Sequence, residues 1–381
     1  MTIYSPAAAE TTALFFELIQ VSLGTRANLS RVLDAKEWEG IYEMSLQQAV
    51  AGVIMGGLSR LPEAQLPSMA LRLQWIGVTD AIEKNNKKIN NAVVSLCSDY
   101  KQKGIPVIVF KGQTIAALYP KPEWRQSGDI DYYVSKEDWQ KAIDDLEQRN
   151  KCGSITNYVD YTTEKDVQYE RDGIAYEMHR MMLSLASPKH RRYWEQVVMP
   201  EILSTPLSVN INGYEVPTLA PMHNILYVFA HIFEHLILDG VGLRQFCDLY
   251  WLLNTYTLPE NEIRRLEEHL EGLGLSRAFT GLCAILTDYF GMPAEKVPLP
   301  IKETDHKKAP VLMQNIVGRG NFGHNIKYNH DEGASHGAEH LTRVISQSCK
   351  FAGYAPAEVL WRVPYMFQWR IKRGWRWLAK A

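Results

Sequence analysis

A chain of 381 residues exceeds the usual size of one hydrophobic core, so two or three structural regions are expected, each burying its own apolar face. With 46% hydrophobic and 22% charged residues and a net charge of −2, the composition is that of a folded protein with no global positive field, which leaves nucleic-acid binding only to a local patch. Five cysteines, Cys97, Cys152, Cys247, Cys283 and Cys349, are scattered without a CxxC pair, which argues against a disulfide framework and a zinc knuckle and fits a reducing cytoplasm.

Residues 1–10 lack a basic segment followed by an apolar one, and the longest nearly unbroken apolar run, 49–58, is too short to cross a bilayer, so a soluble protein is expected. Through residue 103 the apolar positions recur at three- and four-residue spacing, as in Leu14, Leu18 and Val21, then Leu71, Trp75, Val78, Ile82, Ile89 and Val93, which predicts an N-terminal helical region over 1–103. The β-branched run Ile105-Pro-Val-Ile-Val-Phe110 predicts a buried strand. A short helix to about Leu118, a second strand over 129–134 and a helix opened by Ser135-Lys-Glu-Asp138 follow. Strands 167–171 and 174–179 flank Asp172-Gly173, a pair suited to a tight hairpin, and Asn212-Gly213 repeats the signal. These elements define a core over 104–219. From 220 to 381 the chain reads as helical again, over 222–238, 243–254, 260–273 and 276–290, with 292–338 expected as loop because it is rich in Pro, Gly, Asn and charge.

Gly128-Asp129-Ile130-Asp131 is the most informative tetrapeptide. Strand alternation sends Asp129 and Asp131 to one face and Ile130 and Tyr132 to the other, so two carboxylates stand side by side. Such a pair repels itself unless a cation lies between, and Mg²⁺ favours one or two carboxylates together with substrate phosphates. Glu177 supplies a third carboxylate if its strand lies alongside; Tyr176 and Met178 then face the core, with His179 on the polar side as a neighbour of the site. Upstream, Lys111-Gly112-Gln113-Thr114 marks a strand-to-helix turn where backbone amides and the Lys111 charge can meet an anion. Arg125 and Ser127, just before the paired aspartates, are further candidates for touching a triphosphate.

This order of motifs resembles the uncharacterised nucleotidyltransferases of the DNA-polymerase-β-like superfamily. The residues that carry the likeness are Lys111-Gly112, Tyr119-Pro-Lys-Pro122, Arg125, Gly128-Asp-Ile-Asp131, Tyr176-Glu-Met-His179 and Gly242-Leu-Arg-Gln-Phe-Cys-Asp248, spanning roughly 105–253. The resemblance implies an α+β fold, a small mixed-sheet nucleotidyltransferase core flanked by N-terminal and C-terminal helical regions. It also implies Asp129, Asp131 and Glu177 as catalytic ligands of Mg²⁺ or Mn²⁺, and Lys111-Gly112 as the phosphate-binding element. His231, His235, Arg244 and Asp248 belong to the likeness too, so the helical region is expected to close over the nucleotide. One departure is that many members carry Gly-Ser at the turn, whereas here Lys111 precedes the glycine and Gln113 follows it. The implied reaction moves a nucleoside monophosphate from an NTP, ATP by default, to an unidentified hydroxyl-bearing acceptor and releases pyrophosphate.

Rival signals remain. His231-Ile-Phe-Glu-His235 matches the H-x-x-E-H order of inverted zinc peptidases, with Glu234 as base and a third ligand needed from a helix such as that of Glu267 or Glu268. A catalytically inactive nucleotide-binding protein is the other alternative. Arg244 and Asp248, four apart, also suit an intrahelical ion pair. Gly318-Arg-Gly-Asn-Phe-Gly323 matches G-x-G-x-x-G without the strand-turn-helix context and reads as a flexible loop, and the nearby His324, His330, His336 and His340 lack metal-ligand spacing. From Trp361 onward, six basic residues and four tryptophans without an acid suit packing on the helical region, peripheral contact with an anionic membrane, or a polyanion.

Overall fold

A computed structural model describes residues 6–155, 159–161, 163, 165–238, 240–320 and 335–380. Helices α1 (Pro6–Leu23), α2 (Ala35–Gln47) and α3 (Ala51–Leu58) lead into the long α4 (Met69–Gln102). Asp34 and Glu37 cap α2 reciprocally, and the Ser68 hydroxyl accepts the Leu71 amide at the start of α4, so both helix starts satisfy orphan donors. The buried stripe of α4 runs Leu71, Trp75, Thr79, Ile82, Asn86, Ile89, Val93, Leu96 and Tyr100. It keeps the expected period, with Thr79 rather than Val78 turned fully inward because the Thr79 hydroxyl bonds back to the Trp75 carbonyl.

Strands β1 (Val107–Val109), β2 (Asp129–Val134), β3 (Val159–Asp160), β4 (Asp166–Arg171) and β5 (Ile174–His179) form one sheet in the order β1-β2-β5-β4-β3. Only β2 and β5 run parallel; the other neighbours are antiparallel. The first strand is shorter than the apolar run suggests, since Pro106 has no amide to give a ladder. Between β1 and β2 lies α5 (Gly112–Ala116), two residues shorter than expected. Helix α6 (Trp139–Lys151) starts later than Ser135 because that hydroxyl accepts the Asp138 amide in a preceding turn. The hairpin between β4 and β5 turns through Asp172 at φ 54° and Gly173 at φ 72°, the left-handed torsions the Asp-Gly pair favours. Helices α7 (Pro188–Tyr193) and α8 (Met199–Ser204) then precede a separate ribbon of β6 (Leu207–Ile211) and β7 (Tyr214–Thr218).

The rest is helical: α9 (Pro221–Leu238), α10 (Leu243–Thr255), α11 (Glu260–Gly272), α12 (Ser276–Phe290), α13 (Glu303–Arg319), α14 (Ser335–Lys350) and α15 (Pro356–Lys380). The segment expected as loop over 292–338 thus holds α13 and the start of α14. Ala309, Leu312, Met313, Ile316 and Val317 bury one face of α13, a helical period masked in the sequence by polar residues and Pro310. Gly318 and Arg319 close α13 instead of opening a loop; 321–323, His324 and His330 lie outside the described residues, as do the side chains of His336 and His340.

The cores divide by sheet face rather than by chain order. Val107, Val109, Ile130, Tyr132, Tyr176 and Met178 pack with Ile89, Val93 and Tyr100 of α4 and Leu146 of α6. On the opposite face Ile108, Phe110 and Tyr133 join a large core shared by α1–α3 and α9–α13. Helices from both ends of the chain are therefore one body, tied also by Gln20 Nε2 to the Tyr289 carbonyl and Thr25 Oγ1 to the Phe290 carbonyl, both 3.0 Å. Among the described residues no helix is long and apolar enough to cross a membrane.

Candidate active site

The parallel pairing of β2 with β5 sets Asp131 opposite Glu177, and alternation brings Asp129 and His179 to the same face of the sheet. Asp131 is buried at the centre. Its Oδ1 accepts from Lys111 Nζ at 2.7 Å and lies 2.8 Å from His179 Nε2. The same imidazole nitrogen is 3.3 Å from Glu177 Oε2, while Gln168 Nε2 donates to Glu177 Oε1 at 3.2 Å. Ligand atoms of Asp131, Glu177 and His179 all lie within 4.8 Å of one another. Asp129, half-buried at the start of β2, has no hydrogen-bond or ion-pair partner among the described residues.

The electrostatics of the two aspartates diverge. Burial and the neighbouring Asp131 charge raise the Asp129 carboxyl above its ordinary value. Burial would raise Asp131 too, but the Lys111 ammonium and the hydrogen bond with His179 outweigh it and hold that carboxyl below the usual carboxylate range. Lys111 is the reciprocal case, since burial penalises its charge while Asp131, with Asp129 and Glu177 further off, raises its pKa. Its backbone is also unusual: φ 60° and ψ −153° are rare for a residue with a side chain and cost about 1–3 kcal/mol. From this turn between β1 and α5 the ammonium reaches Asp131.

Residues 119–128 form the loop that delivers β2, and its anchors are polar. Arg125 Nε and Nη2 each donate at 2.7 Å to the two oxygens of Asp248 on α10, and Tyr119 donates to Asp248 Oδ1 at 2.7 Å. Burial works against the Arg125 charge, yet Asp248 more than offsets it and raises the guanidinium above its ordinary value. Arg125 Nη1 also donates to Ser127 Oγ at 2.8 Å, and Arg244 Nη1 donates to the Gln126 carbonyl at 2.7 Å. Arg125, expected at a triphosphate, is thus turned to α10. Arg244 and Asp248 each hold the loop where an intrahelical pair was equally expected.

Three asparagines of α4 complete the support and were not singled out from the sequence. Asn86 Nδ2 donates to the Glu123 carbonyl at 2.6 Å and the Arg125 carbonyl at 2.8 Å, and Asn85 Nδ2 reaches the Ser127 carbonyl at 2.9 Å. Asn90 Oδ1 accepts from Gln113 Nε2 at 2.5 Å, leaving Gln113 Oε1 buried without a partner. The available signal was Asn86 inside the apolar stripe of α4, a position that demands hydrogen-bond partners. On the other side of the loop Gly52 of α3 lies against it so closely that a Cβ there would overlap the Trp124 carbonyl. Gly128 is exposed, and no atom would crowd a side chain there.

Helix α9 covers the sheet face. Phe110 packs edge-on against His179 and Tyr227, both at 5.1 Å, and Tyr227 stacks on His231 at 5.9 Å. The rings of His231 and His235 meet edge to face at 4.4 Å. Burial and the Lys111 charge push His231 well below its ordinary pKa, so it is neutral. Neither histidine belongs to a set of three candidate metal ligands among the described residues, and Glu234 Oε1 faces Lys165 Nζ at 4.0 Å. The expected Glu268 pairs with Arg265 at 2.6 Å instead. Among the described residues the peptidase arrangement therefore has no third ligand.

In comparisons with known proteins, residues 34–291 match the family described as uncharacterised nucleotidyltransferase. No curated protein matches. A solved structure similar to this chain is that of an antigenic nucleotidyltransferase-like protein from Paracoccidioides brasiliensis, at 15% identity and a TM-score of 0.35, covering 54% of this chain and 93% of that one. The family match reaches well beyond the motif-bearing segment, taking in α2 to α4 before the sheet and α11 and α12 behind it. Spanning the site and the helices that support it, the match places this chain in the uncharacterised nucleotidyltransferase family.

Proposed function

We propose that the chain transfers a nucleoside monophosphate from an NTP, ATP by default, to a hydroxyl-bearing acceptor, with Asp129, Asp131 and Glu177 holding Mg²⁺ or Mn²⁺. The observation that carries this reading is the pair of carboxylates on one strand face, with Glu177 in register beside Asp131 and Asp129 left without a partner. The donor set fits: hard carboxylate oxygens, a buried site and a raised Asp129 carboxyl are what a divalent cation relieves. Bound there, the cations would supply charge neutralisation for the triphosphate and acidify the acceptor hydroxyl.

The protein's own residues supply alignment and charge. Lys111, released from Asp131, donates to a phosphate oxygen through an ammonium that the neighbouring carboxylates keep protonated against its burial. His179 orients Asp131 through its 2.8 Å contact, while Arg125, Asp248, Arg244 and Ser127 hold the loop that precedes Asp129. Gln113, with a buried unpaired oxygen, and Gly112 and Gly128 border the phosphate side; Tyr227, His231 and His235 line the face covered by α9. The acceptor oxygen bonds to the α-phosphorus, the bond to the β-phosphoryl oxygen breaks, and pyrophosphate leaves as the acceptor proton passes to solvent.

Isothermal titration of Mn²⁺ with and without each NTP tests the reading. Saturable Mn²⁺ binding that an NTP strengthens, and that Asp129→Asn abolishes, is expected. Equal Mn²⁺ affinity in wild type and Asp129→Asn would overturn the assignment.

A further inference from the structure

Glu201 of α8, His223 in the first turn of α9 and His269 in the last turn of α11 bring three ligand atoms within 4.8 Å of one another. His269 Nε2 lies 3.0 Å and His223 Nε2 3.7 Å from the same oxygen, Glu201 Oε2. Four-coordinate Zn²⁺ with bonds of ~2.0–2.1 Å has ligand-to-ligand edges near ~3.4 Å, so both spacings lie close to what the ion needs. Arg265 holds the carboxylate through both oxygens, Nη2 at Oε1 and Nε at Oε2 at 3.2 Å, which orients Oε2 toward the two imidazoles.

His223 is the group the protein alone does not explain. Its imidazole is buried, and neither Nδ1 nor Nε2 has a hydrogen-bond partner. A neutral imidazole carries one donor and one acceptor, and burying both unpaired is costly. His269, by contrast, has the outer support a metal-bound histidine uses: its Nδ1 lies 3.2 Å from the Tyr193 hydroxyl, which donates onward to the Glu268 carbonyl at 3.4 Å. The Tyr193 ring rests on Gly272, where a Cβ would overlap it, so the hydroxyl is held in place.

We infer that Glu201, His223 and His269 form a second metal site, selective for a borderline divalent ion of the Zn²⁺ class and separate from the paired aspartates. Two imidazoles and one carboxylate favour Zn²⁺ over Mg²⁺, which prefers oxygen alone. Glu201 and Arg265 are partly exposed, so the site opens to solvent through that edge. The ion would tie α8, α9 and α11 together at the start of the helix whose Tyr227 and His231 cover the nucleotidyltransferase site, ~12 Å along the axis from His231. Its role there is to fix the register of α9 against the bundle.

Chelator-treated protein titrated with Co²⁺, read by visible absorption and by titration calorimetry, tests this. Wild type should bind one Co²⁺ with the absorption of a four-coordinate ion, displaced by Zn²⁺ but not by Mg²⁺. Affinity should fall at least ~100-fold in Glu201→Gln and in the double variant His223→Gln, His269→Gln, and ~10-fold in Tyr193→Phe, which removes only the outer support. Asp129→Asn should leave the Co²⁺ spectrum unchanged, so failure of the nucleotidyltransferase reading and failure of this one are distinguishable. Wild-type protein that gives no such spectrum, or a spectrum that persists in folded Glu201→Gln, would overturn the inference.

Discussion

Asp248→Asn isolates the anchor of the loop that precedes the paired aspartates. The amide keeps the shape of the carboxylate, so the Tyr119 hydroxyl and one Arg125 nitrogen can still be accepted. The Asn NH₂, however, meets the second Arg125 nitrogen donor to donor, and the guanidinium loses its counter-charge with its side chain only 5% exposed. Removing one partner of a buried ion pair costs about 3–5 kcal/mol, because the remaining charge is left desolvated. Since Arg125 also holds Ser127 and its backbone is held by Asn86, the loss spreads to the loop. Urea unfolding of the variant should show a destabilisation of that size, and the double variant Arg125→Met, Asp248→Leu should recover part of it, since an apolar pair needs no desolvation while the Tyr119 hydroxyl loses its acceptor. Stability of Asp248→Asn within about 0.5 kcal/mol of wild type would refute the argument, because that is the scale of a surface substitution.

Three other outcomes follow from the same geometry. Gly52→Ala should lower the melting temperature and weaken NTP binding together, since its Cβ overlaps the Trp124 carbonyl and pushes the loop off α3; unchanged NTP affinity by calorimetry would contradict this coupling. Lys111→Ala should weaken NTP binding by about 1.5–3 kcal/mol, the range for a hydrogen bond to a charged group, and equal affinities in a titration would remove Lys111 from the phosphate site. In α15 the first turns pack on the protein, with Glu358 accepting the Ala186 amide at 2.7 Å and Arg191 over the Tyr365 ring at 4.7 Å, whereas Leu360, Trp361 and Phe367 are exposed. If the tail is a peripheral anchor, deleting 369–381, which carries five basic residues and three tryptophans, should abolish sedimentation with anionic vesicles; no sedimentation of the intact protein would exclude that contact.

What could be read from the sequence was local and periodic. Alternation along 129–134 and 174–179 gave the faces of Asp129, Asp131, Glu177 and His179, and the Asp172-Gly173 turn gave the β4–β5 hairpin, because side-chain direction follows backbone period. The pairing of β2 with β5 could only be supposed, since 39 residues separate Val134 from Ile174 and periodicity says nothing about partners. Helix α13 was hidden because its polar residues and Pro310 outweigh a narrow buried face. The partners that anchor the loop could not be read for a related reason. Arg125 reads from the sequence as a candidate for touching a triphosphate, and only the approach of α10 supplies Asp248 as the partner it meets. Likewise Glu201, His223 and His269 lie on three helices and share no spacing that a motif could carry.

Pyrophosphate release by the double variant Asp129→Asn, Asp131→Asn tests the central claim most directly. The substitutions keep shape, and losing the mutual repulsion that raises the Asp129 carboxyl offsets part of the lost Lys111–Asp131 pair, so the protein should remain folded by circular dichroism. Measured across a panel of NTPs and hydroxyl acceptors with Mn²⁺, wild type should release pyrophosphate with at least one acceptor. The folded double variant should be slower by about 10³-fold or more, the scale on which aligned charge stabilises phosphoryl transfer. Wild-type rates in the folded double variant would contradict the account.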